Sequence, residues 1–273
     1  MLLFPNCKIN LGLHICNKRA DGFHDLETIF YPVGLKDVLE IIPSHNSTTS
    51  IEFTASGLIV QGDEANNICI KAYHLLKKDF PDLPAIKMHL HKVIPMGAGL
   101  GGGSADGAFT LQLLNTKFNL NLSTPQLLNY ALQLGSDCPF FIINSPCFAT
   151  SRGEILEPIE VDLSDYQIIL VNPGIHINTG WAFSQLSPAL PEKSVATTIA
   201  QPITTWRQEL QNDFERPVFE KYAEIKNIKE HLYESGAVYA AMSGSGSTVF
   251  GIFEKGIPAP QFSNTNYFVQ TIV

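Results

Sequence analysis

The sequence predicts a mixed α/β fold, and three observations carry that prediction. Between residues 8 and 15 apolar and polar residues alternate, Ile9, Leu11, Leu13 and Ile15 on one face and Lys8, Asn10, Gly12 and His14 on the other, which is the period of a strand. Residues 86–118 read as strand, glycine-rich loop and helix in that order. Runs of helical spacing then alternate with strand-like runs along a chain of 273 residues, 45% of them hydrophobic. That length accommodates two ordinary domains or one large one, with enough apolar material for a core.

The elements follow in order. The alternation at 8–15 places Lys8 and Asn10 together, away from the core side. "KRADGFH" (18–24) carries an Asp-Gly turn, and "LETIFYPVGL" continues as another strand, so the first forty residues form a β-rich unit. A polar loop, "SHNSTTS" (44–50), precedes strand-like "IEFTAS". In "NNICIKAYHLLKKDF" the residues Ile68, Ala72, Leu75 and Leu76 share a helical face, with Asn66 or Asn67 as N-cap. "IKMHLHKV" is a strand, and past the glycine loop Ala105, Ala108, Leu111, Leu114 and Phe118 lie at helical spacing. "STPQLLNYALQLG" (123–135) is a helix capped by Ser123 or Thr124, with Pro125 early and Gly135 past its end. "YQIILVNP" is a buried strand, 204–236 is largely helical with a break at Pro217, and 237–253 is a strand, a Gly-Ser turn and a strand. The polar "TSRGEILEP" marks a boundary near 150–160.

Composition narrows the function. A net charge of −8 without a basic block argues against a surface built to neutralise nucleic-acid phosphates. A polyanionic ligand would have to be met locally, by backbone amides, a metal ion and a few placed cations. The five cysteines, Cys7, Cys16, Cys69, Cys138 and Cys147, are odd in number and scattered, which fits buried thiols rather than a disulfide framework or a zinc site. The apolar N-terminus is interrupted at Lys8 and reads as a strand, not a signal peptide. No apolar run reaches membrane-helix length. A soluble, cytoplasmic protein is expected, without nucleic-acid or membrane partners.

Six of the eleven residues from Gly97 to Gly107 are glycine. Each costs a regular element about 0.5–1 kcal/mol, so the cluster is either a tight structural turn or a cradle for an anion. It contains a literal GxGxxG at Gly97, Gly99 and Gly102, but no acid follows in "KFNLNL" (117–122) and no GxxxxGK[ST] is present, so neither the dinucleotide fingerprint nor the common P-loop applies. What remains is backbone N–H and the positive end of a helix dipole offered to phosphate.

"PMGAGLGGGSADGA" resembles the phosphate loop of the GHMP kinase superfamily, named for galactokinase, homoserine kinase, mevalonate kinase and phosphomevalonate kinase. Together with "PNCKINLGLHI", "RADGFHDLETIF", "LGSDCPFF" and "SGSGSTVFGIF", it is similar to the family within it that phosphorylates 4-diphosphocytidyl-2-C-methyl-D-erythritol. The match runs in order along nearly the whole chain.

The resemblance implies a two-domain α/β (α+β) fold: residues 1–152 a ribosomal-protein-like, ATP-binding N-terminal domain, and 153–273 a ferredoxin-like C-terminal domain contributing to substrate binding. It implies Lys8 as the active-site cation and Asp137 as the general base; without it, Asp137 reads as a turn or N-cap aspartate. It assigns ATP to Pro95, Met96, Gly97, Ala98, Gly99, Leu100, Gly101, Gly102, Gly103 and Ser104, with Asn67, Ile68 and Lys92 beside them. Substrate falls to Asn10, Phe23, His24, Thr179 and Phe183, His24 and the aromatics receiving the cytosine ring. The family more often has Tyr where Phe23 stands, so the ring can still stack but has no hydroxyl to hydrogen-bond; Phe183, like Trp181, also reads as core. ATP chemistry implies Mg²⁺, whose ligands no pair of carboxylates marks. The expected reaction moves the γ-phosphoryl of ATP to the 2-hydroxyl of that small molecule, in a monomer or weak homodimer. The rivals are another kinase of the superfamily, acting on homoserine, mevalonate or a sugar, and a non-catalytic metabolite sensor.

Overall fold

The computed structural model describes residues 1–44, 49–60 and 66–273. The polar loop read at 44–50 lies largely outside them. By contacts the chain divides into two compact units whose residues interleave along the sequence. The first comprises residues 1–7, 34–96 and 101–145, the second residues 8–33, 97–100 and 146–273. A single cut after residue 152 would not reproduce this interleaving.

The first unit holds one four-stranded sheet, built from β1 (Leu2–Leu3), β4 (Val38–Pro43), β6 (Ile86–Lys92) and β5 (Ile51–Gly57) in that order across the sheet. β4 and β6 are antiparallel, whereas β5 and β6 are parallel, as the connection through helix α1 (Ile68–Asp79) permits. Asn67 caps α1, its side chain accepting from the Cys69 N–H at 2.9 Å. α2 (Gly102–Lys117) packs against α1 and against α3 (Thr124–Leu134) and α4 (Cys138–Ile143). The predicted stripe of Ala105, Ala108, Leu111 and Leu114 is fully buried, and so are Asp106 and Thr110 on other faces. α3 starts as expected at Ser123, whose backbone N–H is bonded by Gln126 Oε1 at 2.9 Å.

The second unit holds two sheets. In one, β2 (Asn6–Lys18) and β3 (His24–Lys36) lie beside the hairpin β7 (Cys147–Thr150) and β8 (Ile155–Pro158). The polar stretch near 150–160 is therefore a hairpin within a sheet. In the other, β9 (Tyr166–Asn172) lies between β11 (Val249–Glu254) and β12 (Phe268–Ile272), with β10 (Tyr239–Met242) at the edge beside β11. Helix α9 (Ala223–Glu234) covers β10 and β11 through Ile225, Ile228 and Leu232, spaced i, i+3, i+7 and all buried. Each such side chain contributes about 1.5–3 kcal/mol by leaving water. Short helices α5 (Thr179–Ser184) and α6 (Val195–Ile199) precede α7 (Ile203–Glu209) and α8 (Glu215–Lys221).

Lys8 and Asn10, which the alternation turns away from the core side, are 4% and 2% exposed, because hydrogen-bonding partners cover them. One expectation is corrected here. The helical stretch 204–236 does not break at Pro217, which sits in the first turn of α8, where the N–H it lacks would have had no helical partner. The interruptions are an extended passage beginning at Leu210 and a turn at Tyr222. In the first, Leu13 N–H donates to Gln211 O at 2.8 Å and Leu13 O accepts from Asp213 N–H at 2.9 Å. Strand-like pairing to β2 satisfies that backbone in place of a helix.

Candidate active site

In the first unit a cavity of about 540 Å³ is lined by Asn67, Ile68, Lys92, Met96, Gly103 and Ser104. All six were expected at the nucleotide. Its apolar walls come from Phe53, Val60 and Leu90 as well, which sequence reasoning did not single out because they look like ordinary strand and loop residues. The size suits a small-molecule ligand. Gly101 enters α2 in the left-handed conformation, at φ +68°, and the first N–H groups of this 16-residue helix have no partner within it. Those donors and the helix dipole meet the cavity at Gly103 and Ser104, an arrangement suited to an anion.

Lys92 lines the cavity, yet its ammonium is already engaged. Nζ donates to Asp37 Oδ2 at 2.5 Å and to Asp106 Oδ2 at 2.7 Å, all three side chains being at most 3% exposed. Asp37 Oδ1 also accepts the N–H groups of Val93 and Ile94, at 2.6 and 2.9 Å, and so holds the backbone that leads into the glycine loop. The second oxygen of Asp106 is buried with no partner among the described residues. Two carboxylates face one ammonium. Burial works to lower the Lys92 pKa, but Asp106 and Asp37 outweigh it and hold the amine charged. Burial, reinforced by Asp37 and opposed by Lys92, pushes the Asp106 carboxyl up to about 7. Neither aspartate was among the expected residues; the signal available for Asp106 was an acid within the second turn of a helix that starts in glycines.

In the second unit Lys8 and Asn10 do share a face. Lys8 Nζ donates to Asn10 Oδ1 at 2.6 Å and lies 4.6 Å from the Phe30 ring centroid. Asn10 Nδ2 donates to Thr28 Oγ1 at 3.0 Å, which donates to Gly12 O at 2.5 Å. The Asn10 N–H donates to Ser243 Oγ at 3.3 Å, and that hydroxyl donates to Gly99 O at 2.8 Å. Lys8 N–H also donates to Leu100 O at 3.0 Å. The first half of the glycine loop is thus tied to β2 and to the Gly-Ser turn. Gly99, at φ +79°, lies so close to the Ser243 carbonyl that any Cβ would overlap it, which answers why this position carries no side chain.

Two of the expected ring residues, His24 and Phe183, meet within the second unit. His24 and Phe183 stack at 4.7 Å with 19° between their planes, and Phe183 sits edge-on to Phe214 at 4.9 Å. Rings already in contact leave no slot between them, so a base would stack on an outer face of the pair. Phe23, 51% exposed beside its Asp-Gly turn, lies under the Arg152 guanidinium at 4.8 Å. Thr179 Oγ1 and Ser245 Oγ are 3.2 Å apart. Sequence reasoning did not place Arg152 beside Phe23.

Asp137 stands in a turn at the N-cap position of α4, in right-handed helical conformation, as its reading as a turn or N-cap aspartate has it, though without a side-chain capping bond. Among the described residues no three His, Cys, Asp or Glu side chains gather to hold a metal ion. Among the described residues, therefore, the side chains do not form a protein-only Mg²⁺ cage. None of the five cysteines is in a disulfide, and among the described residues no helix is long and apolar enough to cross a membrane.

Residues 67–145 match the GHMP kinases N terminal domain and residues 195–265 the GHMP kinases C terminal domain. The chain is 50% identical over 253 residues, 93% of its length and 92% of the relative's, to the 4-diphosphocytidyl-2-C-methyl-D-erythritol kinase of Bacteroides fragilis. It is 49% identical over 269 residues, 98% of both chains, to the enzyme of that name from Bacteroides thetaiotaomicron. Among solved structures, a 4-(cytidine 5'-diphospho)-2C-methyl-D-erythritol kinase superposes with a TM-score of 0.75 at 29% identity, over 92% of this chain and 90% of that one. The mevalonate kinase of Methanococcus jannaschii superposes with a TM-score of 0.68 at 13% identity, over 94% and 92% of the two chains, a likeness of fold. On these matches the chain belongs to the 4-diphosphocytidyl-2-C-methyl-D-erythritol kinase family of GHMP kinases.

Proposed function

We propose that this chain transfers the γ-phosphoryl group of ATP to the 2-hydroxyl of 4-diphosphocytidyl-2-C-methyl-D-erythritol, giving the 2-phosphate and ADP. The observation that carries the reading is the buried Lys8 ammonium, bonded to Asn10 and linked through Ser243 to Gly99. A cation held rigidly beside a glycine loop supplies the positioning and charge stabilisation on which phosphoryl transfer depends. Asp137 takes the proton of the attacking hydroxyl. The adenosine part of ATP occupies the cavity walled by Phe53, Asn67, Ile68 and Leu90, and the phosphates lie along Gly97–Ser104. Mg²⁺ arrives with the nucleotide as its counter-ion. Lys92, bound to Asp37 and Asp106, acts on the nucleotide through the shape and charge of the cavity wall. Cytosine stacks on the His24–Phe183 pair or on Phe23, and Asn10 and Thr179 contact the remainder of the substrate. The names of the relatives support the choice of substrate. The enzyme works in the cytoplasm on small molecules, without nucleic acid or membrane, as a monomer or weak homodimer.

The test is ADP release from Mg-ATP with the cytidylated methylerythritol, its uncytidylated precursor, homoserine, mevalonate and galactose. Turnover of the cytidylated compound alone is expected. Preferential turnover of another alcohol would overturn the cytidine assignment, and ADP release with none of them would overturn the kinase reading.

A further inference from the structure

We propose that Asn212 is a positioning residue for phosphoryl transfer, acting through the Gly-Ser turn on Asn10 and the glycine loop; the inference rests on the reading of Lys8 and Asn10 given above. Asn212 is 4% exposed and uses both ends of its amide. Nδ2 donates to Met242 O at 2.7 Å and to Gly244 O at 2.9 Å, while Oδ1 accepts the Phe214 N–H at 3.0 Å. Those two carbonyls flank Ser243, so the side chain grips the turn on either side of that residue. Glu215 Oε1 accepts the Met242 N–H at 2.8 Å, and Glu215 Oε2 is held by Lys229 at 2.6 Å. The entrance to the turn is therefore fixed at both its N–H and its carbonyl by one five-residue stretch, 211–215. The same stretch is paired to Leu13 of β2.

Ser243 passes this placement on. Its hydroxyl contacts the Asn10 N–H and Gly99 O, its carbonyl closes against Gly99, and Thr248 N–H donates to Ala98 O at 3.2 Å. Asn10 in turn holds Lys8. Every link lies within the second unit. The chemistry demands an amide at 212. Two buried carbonyls need donors and one N–H needs an acceptor, and Asn supplies all three from a single short side chain. Aspartate is isosteric but puts a carboxylate against the two carbonyls, leaving them unpaired.

The experiment compares Asn212→Asp, Ser243→Ala, the double variant and Glu215→Gln, with kinetics well below the melting temperature. Asn212→Asp is expected to lower kcat roughly 10- to 100-fold, the range for a displaced positioning group, with little change in KM for ATP. Ser243→Ala is expected to show the same split, and the double variant to fall no further than the worse single. Glu215→Gln keeps an acceptor for Met242 but gives up the carboxylate that Lys229 holds, and is expected to lower kcat less than Asn212→Asp. Amide hydrogen exchange gives a readout that does not depend on turnover: Asn212→Asp should speed exchange at 243–248 and 97–100 and leave α1 and α3 unchanged. Wild-type kcat in Ser243→Ala, multiplying effects in the double variant, or unchanged exchange in both segments would overturn the inference. Absence of turnover in the wild-type protein would instead overturn the kinase reading, and the exchange measurement would still decide the role of Asn212 in the turn.

Discussion

Replacing Lys92 by methionine keeps the length of the side chain and removes the ammonium from between Asp37 and Asp106. Both carboxylates are at most 3% exposed, so neither regains water when the cation goes. Breaking a buried ion pair by removing one partner costs about 3–5 kcal/mol. At about 2–4 °C per kcal/mol for a chain of this order of size, the melting temperature should drop by roughly 6–20 °C. The deficit should depend on pH in a defined direction. Asp106 already has its carboxyl raised to about 7, from burial first and Asp37 next, and loss of Lys92 removes what opposes the rise. A carboxyl raised on folding contributes stability that is present below its ordinary value near 4 and lost as pH rises through the folded value. Lys92→Met should therefore be most damaging at about pH 8 and partly rescued at about pH 5.5, where the Asp106 carboxyl is protonated. Thermal denaturation of wild type, Lys92→Met and Lys92→Met/Asp106→Asn across that range reads it directly, the double variant recovering part of the loss. A melting temperature unchanged by Lys92→Met, or a deficit as large at the acid end as at the alkaline end, would refute the buried-cluster argument.

Further outcomes follow from the same geometry. Asp137→Asn should lower kcat by about 10²–10⁴; a folded variant with full kcat would remove Asp137 from the mechanism. Gly99→Ala places a methyl against the Ser243 carbonyl at a positive φ, where a side chain alone costs about 1–2 kcal/mol; kcat should fall together with stability, and a variant normal in both would show that the loop does not need this approach. Phe183→Ala removes the partner that stacks on His24. With base stacking worth about 1–3 kcal/mol, KM for the cytidylated substrate should rise roughly 5- to 150-fold, and an unchanged KM in steady-state kinetics would take Phe183 out of the base site.

The sequence by itself determined what depends on near neighbours along the chain. A cap at Asn66 or Asn67, a cap at Ser123 or Thr124, the buried stripe Ala105–Ala108–Leu111–Leu114 and the strand, glycine loop, helix order all follow from spacing and backbone chemistry within a few residues, and the structure settles the caps on Asn67 and Ser123. Motif resemblance grouped Asn67, Lys92 and Ser104 as residues expected at a nucleotide, and they lie within one stretch of chain that lines one cavity. Alternation gave Lys8 and Asn10 one face of β2 but not what covers that face. A period of two says which side chains lie together and nothing about what lies opposite them. Covering them takes Thr28 and Ser243, 18 and 233 residues from Asn10. Likewise Lys92 carries no local sign that it is spoken for. Asp37 lies 55 residues before it and Asp106 14 after, and a buried ammonium must find its counter-charges wherever packing delivers them. Helix breaks followed the same rule: Pro217 was harmless in a first turn, while Leu210 left the helix because β2 offered its neighbours a better set of hydrogen bonds. The tertiary structure therefore decided the long-range polar partners and the interleaving of the two units. Those depend on which distant segments are packed side by side, a property that local periodicity does not encode.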